Sequence, residues 1–258
     1  MEAQPTFTRQ DACSIPNMSS WHGTNRQSEP YLIQISWPLE WPKIENLHEL
    51  SDPVDVIFDL TPPCDLYTAP RGPDGLPQPQ SYGGADLFLE FISEDIHSFV
   101  FSKIFPNVSV HQSGIFGHSY GALFVLHALY KAPESFDAYL AASPSIWWNE
   151  EFILQEEQKF HDRKELYHKP IVWLSYGCLE QAPVRESHEN EEQFLNRVHR
   201  SRERRMADNC DDMALRLLEN KCVGSVKRRA YEDEYHGSVI AGALSGAIGW
   251  FLEKSAHA

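Results

Sequence analysis

The sequence predicts an α/β protein with a mostly parallel central sheet flanked by helices, and three observations carry that expectation. Short apolar runs of strand length alternate with longer helical stretches over residues 109–252. One of these runs passes straight into a glycine-serine-glycine bend and then into an apolar helix. With 258 residues, 42% of them hydrophobic, the chain is long enough to bury one substantial core.

Taken in order, residues 1–30 are polar and aperiodic, which predicts a flexible N-terminal arm ahead of a single domain over residues 31–258. Residues 31–36 (YLIQIS) alternate apolar and polar side chains and predict a strand that Pro38 and Pro42 end. Residues 54–60 (VDVIFDL) predict a second strand, stopped by Pro62 and Pro63. Four prolines and two glycines make residues 70–80 a loop. Over residues 85–105 a helical stripe collects Leu87, Phe88, Phe91, Ile92, Ile96, Phe99 and Val100, and Pro106 closes it. An apolar strand at 109–116 then feeds a helix at 120–131 that ends before Pro133. Further short strands are expected at 136–142, 171–176 and 223–231, and a last helix at 238–252. The charged stretch 186–220 turns helical in its second half, and its charges read as a solvated face.

The formal charge of −15 argues against binding to nucleic acid or to an anionic membrane. Five cysteines without CxxC spacing favour neither a disulfide framework nor a structural zinc site, so a reducing, cytoplasmic setting and no metal are expected. No basic, then apolar leader opens the sequence, and the apolar stretch at 239–252 is too short to span a bilayer.

The chemistry-bearing motif is Gly117-His118-Ser119-Tyr120-Gly121. A G-x-S-x-G between a strand and a helix is the context of a nucleophile elbow, in which a strained turn lifts the serine hydroxyl and the flanking glycines avoid a clash. The amide of Tyr120 is then an oxyanion donor, beside a helix N-terminus that favours negative charge. A serine nucleophile needs a base, and in such hydrolases the acid and then the histidine follow along the chain. Of the later histidines, His236 sits between the last strand and the last helix and is the candidate base. His127 falls in mid-helix and His257 in the tail. Glu180, after the strand at 171–176, is the candidate acid. Glu232, Asp233 and Glu234 remain alternatives, as does a Ser–His dyad.

These residues sit within a wider resemblance. GHSYGALFVLHALYKAPESFDAYLAASPSIWW resembles the esterase D-like branch of the α/β-hydrolases, in particular its siderophore-esterase subgroup. The match includes Ser143-Pro144-Ser145-Ile146-Trp147-Trp148, the upstream Asp59-Leu60-Thr61-Pro62, the segment 83–92 and the closing His236–Val239 stretch, HGSV. The resemblance implies the α/β-hydrolase fold, Ser119, His236 and Glu180 as a triad, and no cofactor. It further implies that His118, Trp147 and Trp148 contact substrate, a small-molecule ester such as a ferric siderophore. Members of the family carry further strands ahead of DLTP, one bearing the loop with the second oxyanion amide. Here only residues 37–54 separate the matched segments, and the usual arginine before DLTP is replaced by Val56, Ile57 and Phe58. One or two N-terminal strands are therefore expected to be missing. Loss of one oxyanion donor costs about 100- to 1000-fold in rate, so an impaired relic that only binds is a rival expectation, alongside a general short-chain carboxylesterase or thioesterase. The net charge tilts the substrate expectation weakly from a ferric tris-catecholate anion to a neutral ferric hydroxamate.

Overall fold

The computed structural model describes residues 6–9, 18–24, 30–36, 57–68, 81–107 and 109–256, the first three segments as backbone only. The chain divides into two compact units, Met1–Asp59 with Asp86–Ser109, and Leu60–Ala85 with Val110–Ala258.

In the first unit, β1 (Thr6–Arg9), β2 (Met18–Thr24) and β3 (Pro30–Ser36) form an antiparallel sheet in the order β1-β2-β3. β3 falls where the alternation of residues 31–36 predicted it. The segment expected to be a loose arm instead supplies β1 and β2. Its polar sequence hides them because the backbone ladder, with Met18 opposite Ser36 and Thr24 opposite Pro30, requires no apolar alternation. Residues 57–60 form a turn where a strand was expected; residues 54–56 and the expected loop 70–80 lie outside the described residues. The expected helix over 85–105 is present in a different winding. It opens as α1 (Ala85–Glu90) and widens into π turns at Phe91–Ile96 and Val100–Ile104, with one α turn at His97–Phe99 between them. The Phe105 N–H donates to the Val100 carbonyl at 2.8 Å, a five-residue step. Of the expected stripe, Phe91 is buried, while Leu87 is exposed and Leu89, outside the stripe, is buried in its place.

The second unit holds a parallel sheet of β4 (Gly114–His118), β5 (Ala138–Ala142), β6 (Ile171–Gly177) and β7 (Ser225–Tyr231), in that spatial order. Between them run α2 (Tyr120–Lys131), α3 (Ile153–His161), α4 (Glu191–Arg204) and α5 (Met206–Leu218), and α6 (Val239–Ser255) follows. α2 is apolar all round because it is buried all round: Leu123, Val125, Leu126, Ala128 and Leu129 have no exposed surface. α6 buries Val239, Ala243, Ala247 and Trp250, at helical spacing, with the last two against Leu140 and Trp173 of the sheet. Its outer stripe, Ile240, Leu244, Ile248 and Leu252, is exposed. Every residue of β5 is buried, whereas β4 has only Gly117 buried and, among the described residues, no strand on its other side. Asn190 caps α4, its side chain accepting from the Gln193 N–H while Gln193 Oε1 accepts from the Asn190 N–H. Among the described residues no helix is long and apolar enough to cross a membrane.

Truncating the centre of α2 tests this core. Leu126→Ala removes a side chain with no exposed surface and is expected to lower unfolding free energy by about 2–5 kcal/mol, read as a shift of the urea midpoint at unchanged slope.

Candidate active site

Ser119 stands between β4 and α2 with φ 60° and ψ −118°, a conformation costly for a residue with a Cβ. The surroundings hold it there. Its N–H donates to the Ala142 carbonyl of the neighbouring strand at 3.0 Å, and its carbonyl accepts from the N–H groups of Ala122, Leu123 and Ser145. The two motif glycines differ in their reasons. A Cβ on Gly117 would lie 2.0 Å from the Gly121 carbonyl oxygen, so only glycine fits; a Cβ on Gly121 would meet nothing within 4 Å.

The three candidate residues form one chain of hydrogen bonds. His236 Nε2 lies 2.9 Å from Ser119 Oγ, and His236 Nδ1 lies 2.6 Å from Glu180 Oε2. An ionised carboxylate only accepts, so Nδ1 carries the proton and Nε2 is left to accept from the serine hydroxyl. Glu180 Oε1 accepts two further bonds, from Ser143 Oγ at 2.5 Å and the Gly177 N–H at 2.7 Å. Burial acts to raise the Glu180 pKa, but the bonds from His236, Ser143 and Gly177 outweigh it and hold the carboxyl below its ordinary value of 4.5. Among the described residues, His236 hydrogen-bonds through its ring to none of the alternative acids Glu232, Asp233 and Glu234, and Glu234 instead accepts from Ser238 Oγ.

Sequence reasoning missed the two residues that fix the acid. Ser143 is buried at φ 49° directly after β5, and its place in the Ser-Pro-Ser motif was the available signal. Gly177 ends β6, where a Cβ would lie 2.3 Å from the Glu234 carbonyl oxygen; its bareness lets the loop carrying His236 close over the acid. The same approach brings the Leu179 N–H to the Glu234 carbonyl at 3.1 Å. Ser145 Oγ lies 3.4 Å from Ser119 Oγ.

Tyr120 occupies the first helical position after Ser119, where an N–H has no intrahelical acceptor. Burial pushes its phenol up to about 12. Residues 37–54, the span in which the family's further strands and second oxyanion amide are expected to be missing, lie outside the described residues. The residues expected at the substrate part ways. Trp147 lines a cavity of about 310 Å³ together with Ser119, Glu180 and His236. Trp148 does not: it is 1% exposed and packs against Tyr67 and Tyr82. His118 also stays out of the cavity lining, its ring 4.5 Å from that of His236. Burial, and next the neighbouring His236, lower the His118 pKa. Among the described residues no group of three potential ligands could hold a metal ion.

Comparison with known proteins follows from this geometry. The Esterase family model matches residues 65–212. The chain is 40% identical to the siderophore enterobactin esterase of Emericella nidulans, with 93% of this chain and 95% of that protein covered. It is 33% identical to the siderophore triacetylfusarinine C esterase of Aspergillus fumigatus, at 93% and 94% coverage. Among solved structures it is similar to the siderophore hydrolase EstA from Aspergillus nidulans, with TM-score 0.87, 37% identity and 97% and 98% coverage. The first alignment runs over 288 positions, while 93% of this chain is about 240 residues; the difference leaves about 48 positions of the relative without a counterpart here. The second, over 290 positions, leaves about 50.

Gly117→Ala forces a methyl group onto backbone, so a loss of about 3 kcal/mol is expected, measured by chemical denaturation, whereas Gly121→Ala leaves the midpoint within experimental scatter. Glu180 supplies a pH signature. A carboxyl whose pKa is lower in the folded chain stabilises the fold above its unfolded pKa, and that contribution is lost as pH falls through the folded value. The stability of wild type relative to Glu180→Gln should therefore fall as the pH is taken from 6 to below 4.5, and urea titrations at each pH read it directly.

Proposed function

The chain belongs to the Esterase family, and from that premise we propose that it hydrolyses ester bonds of a siderophore or a similar oligo-ester, using Ser119 as nucleophile, His236 as base and acid, and Glu180 to orient and stabilise the imidazole. The observation that carries this proposal is the unbroken Glu180–His236–Ser119 hydrogen-bond chain opening on a cavity.

The chemistry proceeds in two halves. Ser119 Oγ attacks the ester carbonyl carbon as its proton passes to His236 Nε2. The resulting oxyanion is met by the Tyr120 N–H. As the tetrahedral adduct collapses, His236 returns the proton to the leaving alkoxide, which departs as an alcohol and leaves the acyl group on Ser119. Water then attacks the acyl carbon, giving a proton to His236. Collapse releases the carboxylic acid and restores the Ser119 hydroxyl. Throughout, Glu180 keeps its charge and the Nδ1 proton faces it, which offsets the charge that His236 gains. No metal enters these steps; iron, when present, arrives with the substrate. The four described cysteines carry free thiols, which suits the cytoplasmic setting proposed here.

A second reading, a relic that binds an ester without turning it over, is favoured by one observation: about 50 positions of each relative have no counterpart in this chain. Turnover separates the two. Wild type is expected to release acid and alcohol from a siderophore tri-ester, followed by chromatography, and Ser119→Ala to lose about 10⁴-fold or more in kcat. Equal, background-level hydrolysis by two folded proteins would leave the relic.

A further inference from the structure

One wall of the cavity above Ser119 carries chemistry that ester cleavage itself does not use. Arg197, Arg200 and Arg204 recur at i, i+3 and i+7 on α4, so they share one face, and all three line the cavity with Trp147. Their commitments differ. Arg197 is taken up within the protein: its Nε donates to Glu189 Oε1 at 2.9 Å, and its Nη2 donates to Glu189 Oε2 at 2.5 Å and to the Val184 carbonyl at 2.9 Å. Among the described residues, neither Arg200 nor Arg204 forms an ion pair within 4.0 Å.

Arg204 is instead laid over the Trp147 ring, its Cζ 4.4 Å from the centroid. Burial lowers its pKa; the like charge of Arg200 acts in the same direction, and Tyr120 and Glu203 oppose it. Both guanidinium groups thus stand at the edge of one cavity, and among the described residues neither has a carboxylate within 4.0 Å. The carboxylates on the same wall do not answer them. Glu180 is bound to His236 and Ser143, and Glu186 sits 3.4 Å from His188 and 3.9 Å from Arg197. Placing like charges together costs free energy unless an anion fills the gap, and a planar guanidinium suits a bidentate oxygen donor.

We propose that Arg200 and Arg204, with Trp147 as the apolar wall, bind the anionic aromatic acyl end of the substrate, a catecholate-type group free or in its ferric chelate, and so select charged esters over neutral hydroxamate esters. The inference rests on the reading of this cavity as the ester-cleaving site. It reverses the substrate preference suggested by the net charge of −15, because at the cavity wall two nearby guanidinium groups, without an ion pair among the described residues, outweigh the distant sum. α4 is held in position to do this. The N–H groups of Ala207 and Asp208, at the start of α5, donate to Gln181 Oε1, one residue past Glu180.

Two measurements test the proposal. In the first, a trianionic ferric tris-catecholate tri-ester and a neutral ferric trihydroxamate tri-ester are titrated against Ser119→Ala by tryptophan quenching. Adding Arg200→Gln and Arg204→Gln is expected to weaken the anion about 100-fold and the neutral ligand far less. Raising salt should weaken anion binding before that change and not after it. Arg200→Gln alone, at an exposed side chain, gives about tenfold and guards against a folding defect, and Arg204→Lys recovers part of the affinity. In the second, the ratio of kcat/KM for the two tri-esters should favour the anion in wild type and fall at least tenfold in the double variant. Equal affinities for both ligands before and after substitution, or a wild type that prefers the neutral ester, overturns the proposal. If wild type cleaves neither ester, the hydrolase reading fails, while the binding titration still decides whether the arginines hold the anion.

Discussion

Parallel register is the constraint from which the active-site distances descend. His118 pairs with Ala142 and Ala142 with Ser175, so β4 and β5 end level with one another beside β6, which runs two residues further to Gly177. The residues that follow, Ser119 and Ser143, therefore emerge side by side, and the ladder continues one step beyond the strands through Ser119 N–H to Ala142 O and Ser143 N–H to Ser175 O. Gly177 pairs with Tyr231 in the same sense, which brings the turns carrying Glu180 and His236 to the same end of the sheet. A slip of one residue in any pair would move a side chain by about 3.3 Å and turn it to the other face. Hydrogen bonds of 2.6 and 2.9 Å could not survive that.

Upon this frame the site spends local strain for chemical position. Ser119 and Ser143 both stand at positive φ, one presenting the hydroxyl that faces His236 and the other the hydroxyl that faces Glu180. Each is fixed by backbone bonds to an adjacent strand, so the strain is borne by the sheet and not by the loops. Three donors around Glu180 then keep a buried carboxyl ionised against the tendency of burial to neutralise it. An ionised acid fixes the proton of His236 on Nδ1, and that tautomer leaves Nε2 as an acceptor for the serine proton.

What could be read in advance followed from where the physics is local. β5, β6, α2 and α6 were legible because buried parallel strands and buried helices write apolar runs, whereas β7, an outer strand with Lys227, Arg228 and Arg229 at its centre, buries no residue. Ser119 was legible because its bend demands glycine at 117, and His236 because chain order and the last βα connection leave few alternatives. The remainder depends on partners distant in sequence. β1 and β2 are held by a ladder that leaves no apolar trace, and α1 buries Leu89 in place of Leu87 of the expected stripe. The difference between Trp147 and Trp148 lies in partners far along the chain, Arg204 beside the one and Tyr67 and Tyr82 beside the other. Ser143 could be placed in a motif, but its bond to Glu180 spans 37 residues.

The same distinction between sum and neighbourhood governs the uncovered surface. About 50 positions of each relative find no counterpart in this chain, and in the sheet unit the outer strands β4 and β7 are both less buried than β5 and β6. Ile115 and Phe116 on β4 are only partly buried, against a fully buried β5. The exposed row of Ile240, Leu244, Ile248 and Leu252 on α6 is apolar surface of the kind that a further element ordinarily covers. Yet the catalytic register does not pass through that side. Ser119 is fixed from β5, Glu180 from β5 and β6, and His236 from the turn after β7 and the end of β6. The bonds that align Ser119, His236 and Glu180 are made from β5, β6 and the turns after β6 and β7, so they do not depend on what covers β4.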